Sequence, residues 1–457
     1  MLGYAVGKNI SNYLGEWKFD PLVVMPILFV LLLFVVDGYD PNTLSSAIAM
    51  LVALSPAWLP VYLLVFFWIS WIDYIRLMFW FSQDYVLLEV QLPQEVTKSP
   101  LAMETFLSTL WNAGGETTYI ARIWKGSFRP IWSLEIACNE GRIGFYIHLR
   151  RAWRNIMEAR LYGQFPEAKV SEVDDYAAAI PFNLKEYDIF GAEFRKQTIG
   201  ALPIKTYIDY KLDKDPKEEF KVDPITSVLE LLAQIGKNEF FWMQIILQAR
   251  RNESQWYGFR NTSVDDFKQP AAKEISNIIK GASDRTAKLV EDPVEGKKVA
   301  ARGQQLLSES EKRRIDQIER SMSKLIFEAG IRTVYLAKKE NYTGINAGAI
   351  IRFFDAFKGQ DASREYNVLN VSGGTTIFDY PWQDFHKIRA NITKENIFFH
   401  YKQRAYFYVP YDQKPVFLNT EELATLWHFP SSIVQTPGLN RVPSRRSEAP
   451  VNLPTGL

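Results

Sequence analysis

Residues 41–72 read PNTLSSAIAMLVALSPAWLPVYLLVFFWISWI and contain no charged side chain. A helix needs roughly 20 apolar residues to cross the hydrocarbon core of a bilayer, so this stretch is long enough to span. Pro56 and Pro60 lie inside it. They favour a helix start, because proline suits a first turn and disrupts a helix interior. The stretch therefore predicts a membrane-spanning helix.

A shorter apolar stretch, residues 21–36, precedes it across a turn that contains two aspartates. Together the two predict a transmembrane helical hairpin over residues 1–82. The first stretch spans only if Trp17 and Lys18 sit in the membrane interface, where such side chains are common. Two alternatives stay open. The first stretch can be the apolar part of a signal peptide, or the apolar helices can be core helices, although they have no polar face.

Basic residues lie at the two outer ends of the apolar pair and are absent from the turn between the stretches. Lys8 and Lys18 precede the first stretch and Arg76 follows the second, whereas the turn carries Asp37 and Asp40. Because Lys and Arg collect in cytoplasmic segments, both ends are predicted to be cytoplasmic. The sequence thus predicts a multi-pass protein of the inner (cytoplasmic) membrane, with the lipid bilayer as its first partner and its soluble region in the cytoplasm.

Composition excludes several classes of protein. The chain has 53 basic and 52 acidic residues, so net charge implies no particular partner. Cys138 is the single cysteine, which excludes an intramolecular disulfide framework and a multi-cysteine metal site. Its apolar neighbours predict a small buried strand residue.

Residues 83–180 predict a first α+β domain. Four segments have strand patterns, and two segments between them have the apolar spacing of helices. The element order is β-α-β-β-α-β, which is the ferredoxin-like order with an antiparallel sheet. The predicted strands are residues 85–92, 131–138, 142–149 and 168–173.

Residues 200–372 predict a second, looser copy of the same domain, interrupted by a polar insertion at residues 252–307 whose charges are mixed in sign. This copy is inferred from element order alone. The insertion is predicted to be a mobile, partly helical surface segment. The predicted strands are residues 206–212, 239–249 and 331–337, and the predicted helices begin at Asp223, Ser308 and Tyr342, with the second ending at Ala329.

Residues 373–435 predict a small hairpin, with strands at 398–401 and 405–409, followed by a short helix. Asn419 and Glu422 have the spacing of a capping box at the start of that helix. Residues 436–457 are rich in Pro and Arg and are predicted to be extended or disordered.

Catalytic motifs are absent from the sequence. It contains no Walker A loop, no G-x-S-x-G elbow and no H-E-x-x-H pair. The four histidines are far apart, and structural roles are predicted for His148 and His400 in strands. Asp174-Asp175 is predicted to be a solvated turn. A solvated helix face is predicted for a cluster of four basic residues, although phosphate or lipid contact is an alternative: Arg150, Arg151, Arg154 and Arg160.

Two stretches carry a resemblance. One runs from Asp223-Pro224 to Ala249, and the other is residues 418–430, ending in His428-Phe429-Pro430, with the Pro-rich segment after it. Together they resemble the membrane-anchored region that precedes the motor domain in type IV secretion and conjugative DNA-transfer ATPases, in forms found in candidate-phyla bacteria. In that family the Pro-rich linker leads into a P-loop motor. Here no P-loop follows.

The resemblance implies a non-enzymatic accessory subunit that recruits a P-loop ATPase encoded as a separate chain. Assembly into a homo-oligomer is implied by the resemblance alone. Direct binding of nucleic acid stays open. No cofactor and no metal site are predicted. The alternatives are an envelope scaffold of another pathway and an enzyme whose site has no recognisable motif. The residues predicted to contact a partner are Leu423, Trp427, His428, Phe429, Arg445 and Arg446.

Overall fold

The computed structural model describes most of the chain from the second apolar stretch onward. The described residues are 43–93, 98–116, 118–213, 223–251, 255–256, 261–262, 267–290, 307–358, 365–375, 382, 384–408, 410–430, 438–439 and 441–442. The first apolar stretch, and with it the predicted hairpin, lies outside these residues.

The described residues form a mixed α+β structure, as the sequence predicts. The helices are α1 (Thr43–Ala53), α2 (Ser55–Ser82), α3 (Pro100–Leu110), α4 (Tyr119–Ile123), α5 (Arg154–Gln164), α6 (Pro224–Leu232), α7 (Lys268–Val290), α8 (Glu309–Ser323), α9 (Gly344–Ile351), α10 (Ile388–Gln403) and α11 (Thr420–Leu426). Short 3₁₀ turns lie at Arg151–Trp153, Phe353–Phe357 and Phe385–Lys387.

The strands differ widely in length, from two residues to 13 in β9. They are β1 (Tyr85–Pro93), β2 (Ile131–Asn139), β3 (Arg142–Arg150), β4 (Lys169–Val173), β5 (Tyr187–Lys196), β6 (Glu239–Ala249), β7 (Gln255–Trp256), β8 (Asn261–Thr262), β9 (Ile326–Lys338), β10 (Leu369–Gly374), β11 (Phe407–Tyr408), β12 (Tyr411–Asp412), β13 (Val416–Asn419) and β14 (Arg441–Val442).

One large sheet organises the molecule, in the order β10–β5–β9–β6–β2–β3–β1, and these neighbours are all antiparallel. Strand β4 pairs antiparallel with β1, the short β14 pairs parallel with the end of β1, and β13 pairs with the start of β9. The first four strands therefore lie in the order β4–β1–β3–β2. The strands β5, β6, β9 and β10 lie in the matching order β10–β5–β9–β6. We call these sets the first and second half-sheets.

The two half-sheets join edge to edge through β2 and β6, which pair from Ile131–Gln248 to Asn139–Phe240. One continuous apolar core lies on a single face of the sheet. It includes Leu134 and Ile136 of β2 and Ile245 and Leu247 of β6. Helices from both halves cover this face, and α11 packs against α3 among them. The opposite face is covered by α10, by residues 174–186 and by the β11–β12 pair.

The predicted strand at residues 206–212 is wrong. These residues form turns, in which the Asp209 carboxylate accepts a hydrogen bond from the Thr206 amide at 3.1 Å. Such local side-chain bonds compete with strand pairing. The first strand of the second half-sheet is β5 instead, where Ile189 faces α10 and Phe194 faces the main core. The second half-sheet therefore takes its first strand from residues 187–196.

The predicted helix over residues 308–329 ends early. Helix α8 stops at Ser323, and β9 already begins at Ile326. The helix start is confirmed, because Ser308 and Glu311 form a capping box. The end differs because β9 pairs along nearly its whole length with β6, and this long-range pairing overrides the local helical pattern.

The predicted strand at residues 398–401 is also wrong, since these residues lie inside α10. A short apolar run does not distinguish strand from helix. The Asp384 carboxylate fixes the helix start by accepting hydrogen bonds from the amides of Arg389 and Ala390, at 2.9 and 2.8 Å. Among the described residues that follow α10, the two-residue strands β11 and β12 pair with each other.

The second apolar stretch forms α1 and α2, with a break at Leu54. Pro56 lies in the first turn of α2, as the sequence predicts. Among the described residues, α2 is the one helix long and apolar enough to cross a membrane. Within the polar insertion, α7 is helical. Of the predicted tail, Arg441 and Val442 pair with β1, and residues 443–457 lie outside the described residues.

Candidate functional site

The candidate membrane helix α2 leads into the sheet with almost no linker. Gln83 and Asp84 alone separate its last residue from β1. Ile72 and Ile75, near the end of α2, are buried against Ile123 of α4. The helix therefore continues directly into the folded region as part of its packing.

Aromatic contacts lock the last turns of α2 onto the second face of the sheet. The Phe79 and Trp80 rings lie 5.1 and 5.5 Å from the Phe128 ring, measured between centroids. The Arg150 guanidinium stacks over both Phe79 and Phe128, at 5.1 and 4.7 Å from the ring centroids. Such stacked cations stabilise by about 0.5–2 kcal/mol each. We call this region, residues 71–80 with 119–128, the membrane junction.

Gly126 permits the close approach of α4 to α2. It has a positive φ of 63°, and a Cβ at this position would collide with the carbonyl oxygen of Ile75. Only glycine adopts this conformation without strain while leaving room for the helix backbone. On the same side of the junction, the Trp71 indole donates a hydrogen bond to the Ile123 carbonyl oxygen at 3.0 Å.

A row of polar side chains crosses the second face of the sheet next to the junction. Each residue of the row lies directly opposite the next in strand register, so all of them share one face. The row runs through Glu193 on β5, Arg332 on β9, Gln244 on β6, Glu135 on β2 and Tyr146 on β3. All five are buried.

Glu135 is the centre of this row and is fully buried. The Arg404 guanidinium donates to both of its oxygens, from Nε at 3.0 Å and from Nη2 at 3.1 Å. Ser133, Gln244 and Tyr176 donate further hydrogen bonds to the same carboxylate, at 2.7, 2.9 and 2.6 Å. A carboxylate has about four lone-pair positions, so this one is fully used by the protein itself.

Arg404 also pairs with the partly buried Asp175, which makes a group of one cation and two anions. Burial by itself raises the pKa of Glu135, but the charge and hydrogen bonds of Arg404 outweigh it and lower the pKa to about 2. The same carboxylates raise the pKa of Arg404 against the effect of its burial. Both groups are therefore ionised, and we call Glu135, Arg404 and Asp175 the ionic centre.

Backbone geometry places Arg404 at this centre. It ends α10 in the left-handed conformation, with φ 50° and ψ 34°, where glycine is the usual residue. A non-glycine residue in this conformation costs roughly 1 kcal/mol or more. The two bonded carboxylates offset that cost.

A second ionic contact continues the row on the far side of Gln244. Arg332 is fully buried, with its Nη2 3.3 Å from Glu193 and donating to the Ala405 carbonyl oxygen at 2.8 Å. The Tyr411 hydroxyl donates to Glu193 at 2.8 Å. Glu193, Arg332 and Glu135 of the row are thus tied to Arg404 and to the residues that follow it.

The side chains predicted to contact a partner lie inside the molecule. Leu423, Trp427, His428 and Phe429 are all buried on the helix-covered face. They belong to the apolar core of that face, where α11 packs against α3. Arg445 and Arg446 lie outside the described residues.

The structure joins the two stretches on which the resemblance rests. The His428 Nε2 lies 3.1 Å from Asp223, and its Nδ1 lies 2.9 Å from the Ala424 carbonyl oxygen. Burial lowers the pKa of His428, but the charge of Asp223 and these acceptors more than reverse this and raise it overall. Asp223 also caps α6 by accepting a hydrogen bond from the Ile225 amide. The His-Phe-Pro segment therefore closes the core over α6.

The capping box at Asn419 and Glu422 is confirmed. Glu422 also lies 2.7 Å from the buried Lys196 Nζ and accepts a hydrogen bond from the Ile204 amide at 2.9 Å. Burial raises the pKa of Glu422 in spite of these contacts. The same residue thus starts α11 and ties it to the second half-sheet.

Other predicted polar features have structural partners. Arg151 and Arg154 pair with Glu172, and Arg160 donates to the Thr109 carbonyl oxygen. The predicted loop at Asp174-Asp175 is present and Asp174 is exposed, but Asp175 is not simply solvated, because it pairs with Arg404. Arg404 was also not identified from the sequence. The only signal is its place directly after the residues that form α10.

In the described part of the chain, no three His, Cys, Asp or Glu side chains lie close enough together to bind a metal ion. Cys138 is buried in β2, as predicted, and burial raises its pKa to about 11, so it is a poor nucleophile. His148 lies in β3 as predicted, whereas His400 lies in α10 and stacks on Tyr411 at 4.1 Å.

Comparison with known protein families identifies the family to which this chain belongs. The model of a family defined by a domain of unknown function, DUF8128, matches residues 82–441. This match covers most of the chain, so the protein belongs to that family. The matched region begins at the last residue of α2 and contains the sheet except for Val442 at the end of β14. A search of the curated proteins finds no match.

Proposed function

We propose that this member of the DUF8128 family is a membrane-anchored docking subunit without catalytic activity. Helix α2 spans the inner membrane, and the large sheet is a rigid platform that is held at its cytoplasmic side. A P-loop motor ATPase, encoded as a separate chain, binds this platform in an apparatus of the type IV secretion or conjugative kind.

The membrane junction is the observation that carries this proposal. Ile72 and Ile75 are buried by the folded region, while the side chains of α2 before them are largely exposed. A helix tethered by a flexible linker would let the domain rotate freely. Here the helix packs against Phe128 and Ile123, so the position of the platform relative to the membrane is set by the fold.

Several features support the finer parts of the proposal. The apolar residues 21–36 and the basic flanks Lys8, Lys18 and Arg76 support a multi-pass hairpin with cytoplasmic ends. The orders β4–β1–β3–β2 and β10–β5–β9–β6 support two ferredoxin-like units, because both correspond to the strand order of a β-α-β-β-α-β unit. The saturated carboxylate of Glu135 supports a structural role in place of catalysis.

The partner is proposed from the resemblance, and Arg445 and Arg446 are its proposed contact residues. They follow β14, which pairs with β1 at the edge of the first half-sheet. A basic segment that leaves the platform at this edge suits an acidic surface on a motor domain.

A pull-down from detergent-solubilised membranes tests the proposal. The full chain is compared with a variant that lacks residues 443–457, which keeps Arg441 and Val442 in the sheet. A second variant, Arg445→Glu with Arg446→Glu, keeps the full length. We expect a P-loop ATPase to co-purify with the full chain and to be lost with both variants, whereas Lys312→Glu with Arg313→Glu, on the surface of α8, retains it.

Two results would overturn the proposal. If no ATPase co-purifies with the full chain, an envelope scaffold becomes the better function. If the purified protein hydrolyses ATP by itself, the non-catalytic role is wrong.

A further inference from the structure

Helix α4 lies directly against the membrane helix although it belongs to the soluble part of the chain. Its Ile123 is buried against Ile72 and Ile75, and Gly126 follows it at the closest approach to α2. The Thr118 hydroxyl caps its start by accepting a hydrogen bond from the Ala121 amide at 3.1 Å. The inner side of this short helix is therefore fixed by the membrane junction.

The outer side of α4 is apolar and uncovered. Ile120 is 60% exposed and Trp124 is 64% exposed. They share one side of the helix, because the Trp124 amide donates to the Ile120 carbonyl oxygen. Tyr119 adjoins them and is also exposed. Singly exposed apolar residues are ordinary, but a contiguous group usually marks an interaction surface.

The position of this group along α2 points to its occupant. Residues 43–72 carry no charge, and Asp73 is the first charged side chain of the helix. The boundary of the hydrocarbon region is therefore near Trp71. The Trp124 ring lies 5.9 Å from the Trp71 ring, between centroids. The exposed group thus sits at the level where Trp and Tyr side chains prefer the membrane interface.

Charge at α4 also suits a membrane surface. Lys125 is exposed next to Trp124. A basic side chain near an anionic leaflet is attracted by roughly 1 kcal/mol. An aromatic residue beside an exposed lysine is the composition that interfacial segments use to enter the headgroup region.

We propose that α4 is a second membrane contact, which inserts Ile120 and Trp124 into the headgroup region of the leaflet that faces the sheet. Together with α2 it gives the platform two points of attachment, so that the platform is held against tilting relative to the membrane plane. This inference rests on the proposed function, in which α2 spans the bilayer.

Nitroxide accessibility in the full chain tests this contact. The protein is reconstituted in vesicles of phosphatidylethanolamine and phosphatidylglycerol, and single sites are labelled through Ile120→Cys, Leu63→Cys and Ile345→Cys. Leu63 reports on α2, and Ile345 is an exposed apolar residue of α9, 86% exposed, that serves as the matched control. Cys138 is buried, and unsubstituted protein treated with the label measures its background.

We expect relaxation by oxygen, which concentrates in lipid, to exceed relaxation by a water-soluble nickel complex at sites 63 and 120. We expect the reverse at site 345. A second substitution, Trp124→Glu, is expected to move site 120 toward the values of site 345 and to leave site 63 unchanged.

Each other outcome overturns the inference in a distinct way. If site 63 is in lipid and site 120 is in water, α4 does not contact the membrane and the proposed anchoring by α2 stands. If site 120 is shielded from both reagents, a protein surface covers α4. If site 63 is itself in water, the anchoring by α2 fails together with the inference.

Discussion

The two faces of the central sheet are built from the same strands but follow different rules. On the helix-covered face, β2 and β6 present Leu134, Ile136, Ile245 and Leu247 to an apolar core. On the opposite face, the same strands present Glu135 and Gln244 to buried charges. The apolar face tolerates many side chains of suitable volume. The polar face requires each partner, because an unpaired buried charge is costly.

The two faces therefore contribute differently to stability and to the choice of one arrangement. Burial of apolar area stabilises by about 25 cal/mol per Å² whatever the partner, so the helix-covered face brings the two half-sheets together without dictating one arrangement. The ionic centre stabilises only one arrangement, that in which Arg404 reaches both Glu135 and Asp175. It thereby sets the position of α10 and of the residues that follow it, which include the Tyr408 contact of the membrane junction.

The largest expected effect comes from Arg404→Met, which leaves Glu135 and Asp175 without their cation. We expect a loss of about 3–5 kcal/mol in the free energy of unfolding, measured by urea titration in detergent micelles. Glu135 has a lowered folded pKa, so its contribution is present above the ordinary value of 4.5 and is lost as pH falls toward about 2. The difference between the two proteins should therefore shrink as the pH falls through this window.

Arg151→Met is the matched control, because Arg151 also pairs with two carboxylates, Asp84 and Glu172, but its side chain is 48% exposed. A much smaller effect is expected, since exposed pairs contribute little. Equal effects of the two substitutions would show that burial does not distinguish the ionic centre.

The next effect is expected on the apolar face. Leu423→Ala removes a fully buried side chain of α11 and should cost about 2–5 kcal/mol through lost transfer energy and a residual cavity. Thermal unfolding measures the loss, and Leu325→Ala, at an exposed leucine, should change stability by about 0.5 kcal/mol or less. A negligible loss for Leu423→Ala would mean that α11 does not close the core.

A pH-dependent effect is expected between α11 and α6. His428→Gln removes the charged hydrogen bond to Asp223, for which about 1.5–3 kcal/mol is expected at low pH. The folded pKa of His428 is raised above 6.5, so its contribution is complete below pH 6.5 and is lost as the pH rises through the folded value. Urea midpoints of the two proteins should converge with rising pH. A constant gap for His428→Gln would contradict the ion pair.

The smallest effect is expected from Tyr401→Phe. The Tyr401 hydroxyl lies 2.7 Å from that of Tyr176, which in turn bonds Glu135. Removing this outer bond should cost about 0.5–1.5 kcal/mol, and Tyr162→Phe, at a more exposed hydroxyl that bonds the Val170 amide, should cost less. A loss as large as that of Arg404→Met would mean that the hydroxyls, and not the guanidinium, hold the ionic centre together.

The local parts of the fold could be predicted from the sequence. The starts of α8 and α11 follow from the capping boxes at Ser308 and Asn419, because those bonds form between residues three apart. Strands β2 and β3 follow from their alternation and from the tight turn at Asn139-Glu140-Gly141. In each case the interacting residues are neighbours in the chain, so the pattern contains the interaction.

The candidate site could be predicted only in part. The aromatic residues at the end of α2 are visible in the sequence, but their contact with Phe128 is not. Asp175 and Arg404 had no visible partner, because each bonds a residue from a distant part of the chain. Residues 418–430 were recognised as a distinct segment, yet their pattern did not reveal whether its apolar side chains face a partner or the core.

By itself the sequence determined the candidate membrane helix and most of the strands and helices that follow it, since periodicity, capping and proline placement act over a few residues. Tertiary structure alone decided which strands pair, and so replaced the predicted strand at residues 206–212 by β5 and merged two units into one sheet through β2 and β6. It also decided that Arg404 meets Glu135, 269 residues away in sequence. Such contacts depend on how burial of the apolar faces arranges distant segments in space, and a local sequence pattern does not contain that information.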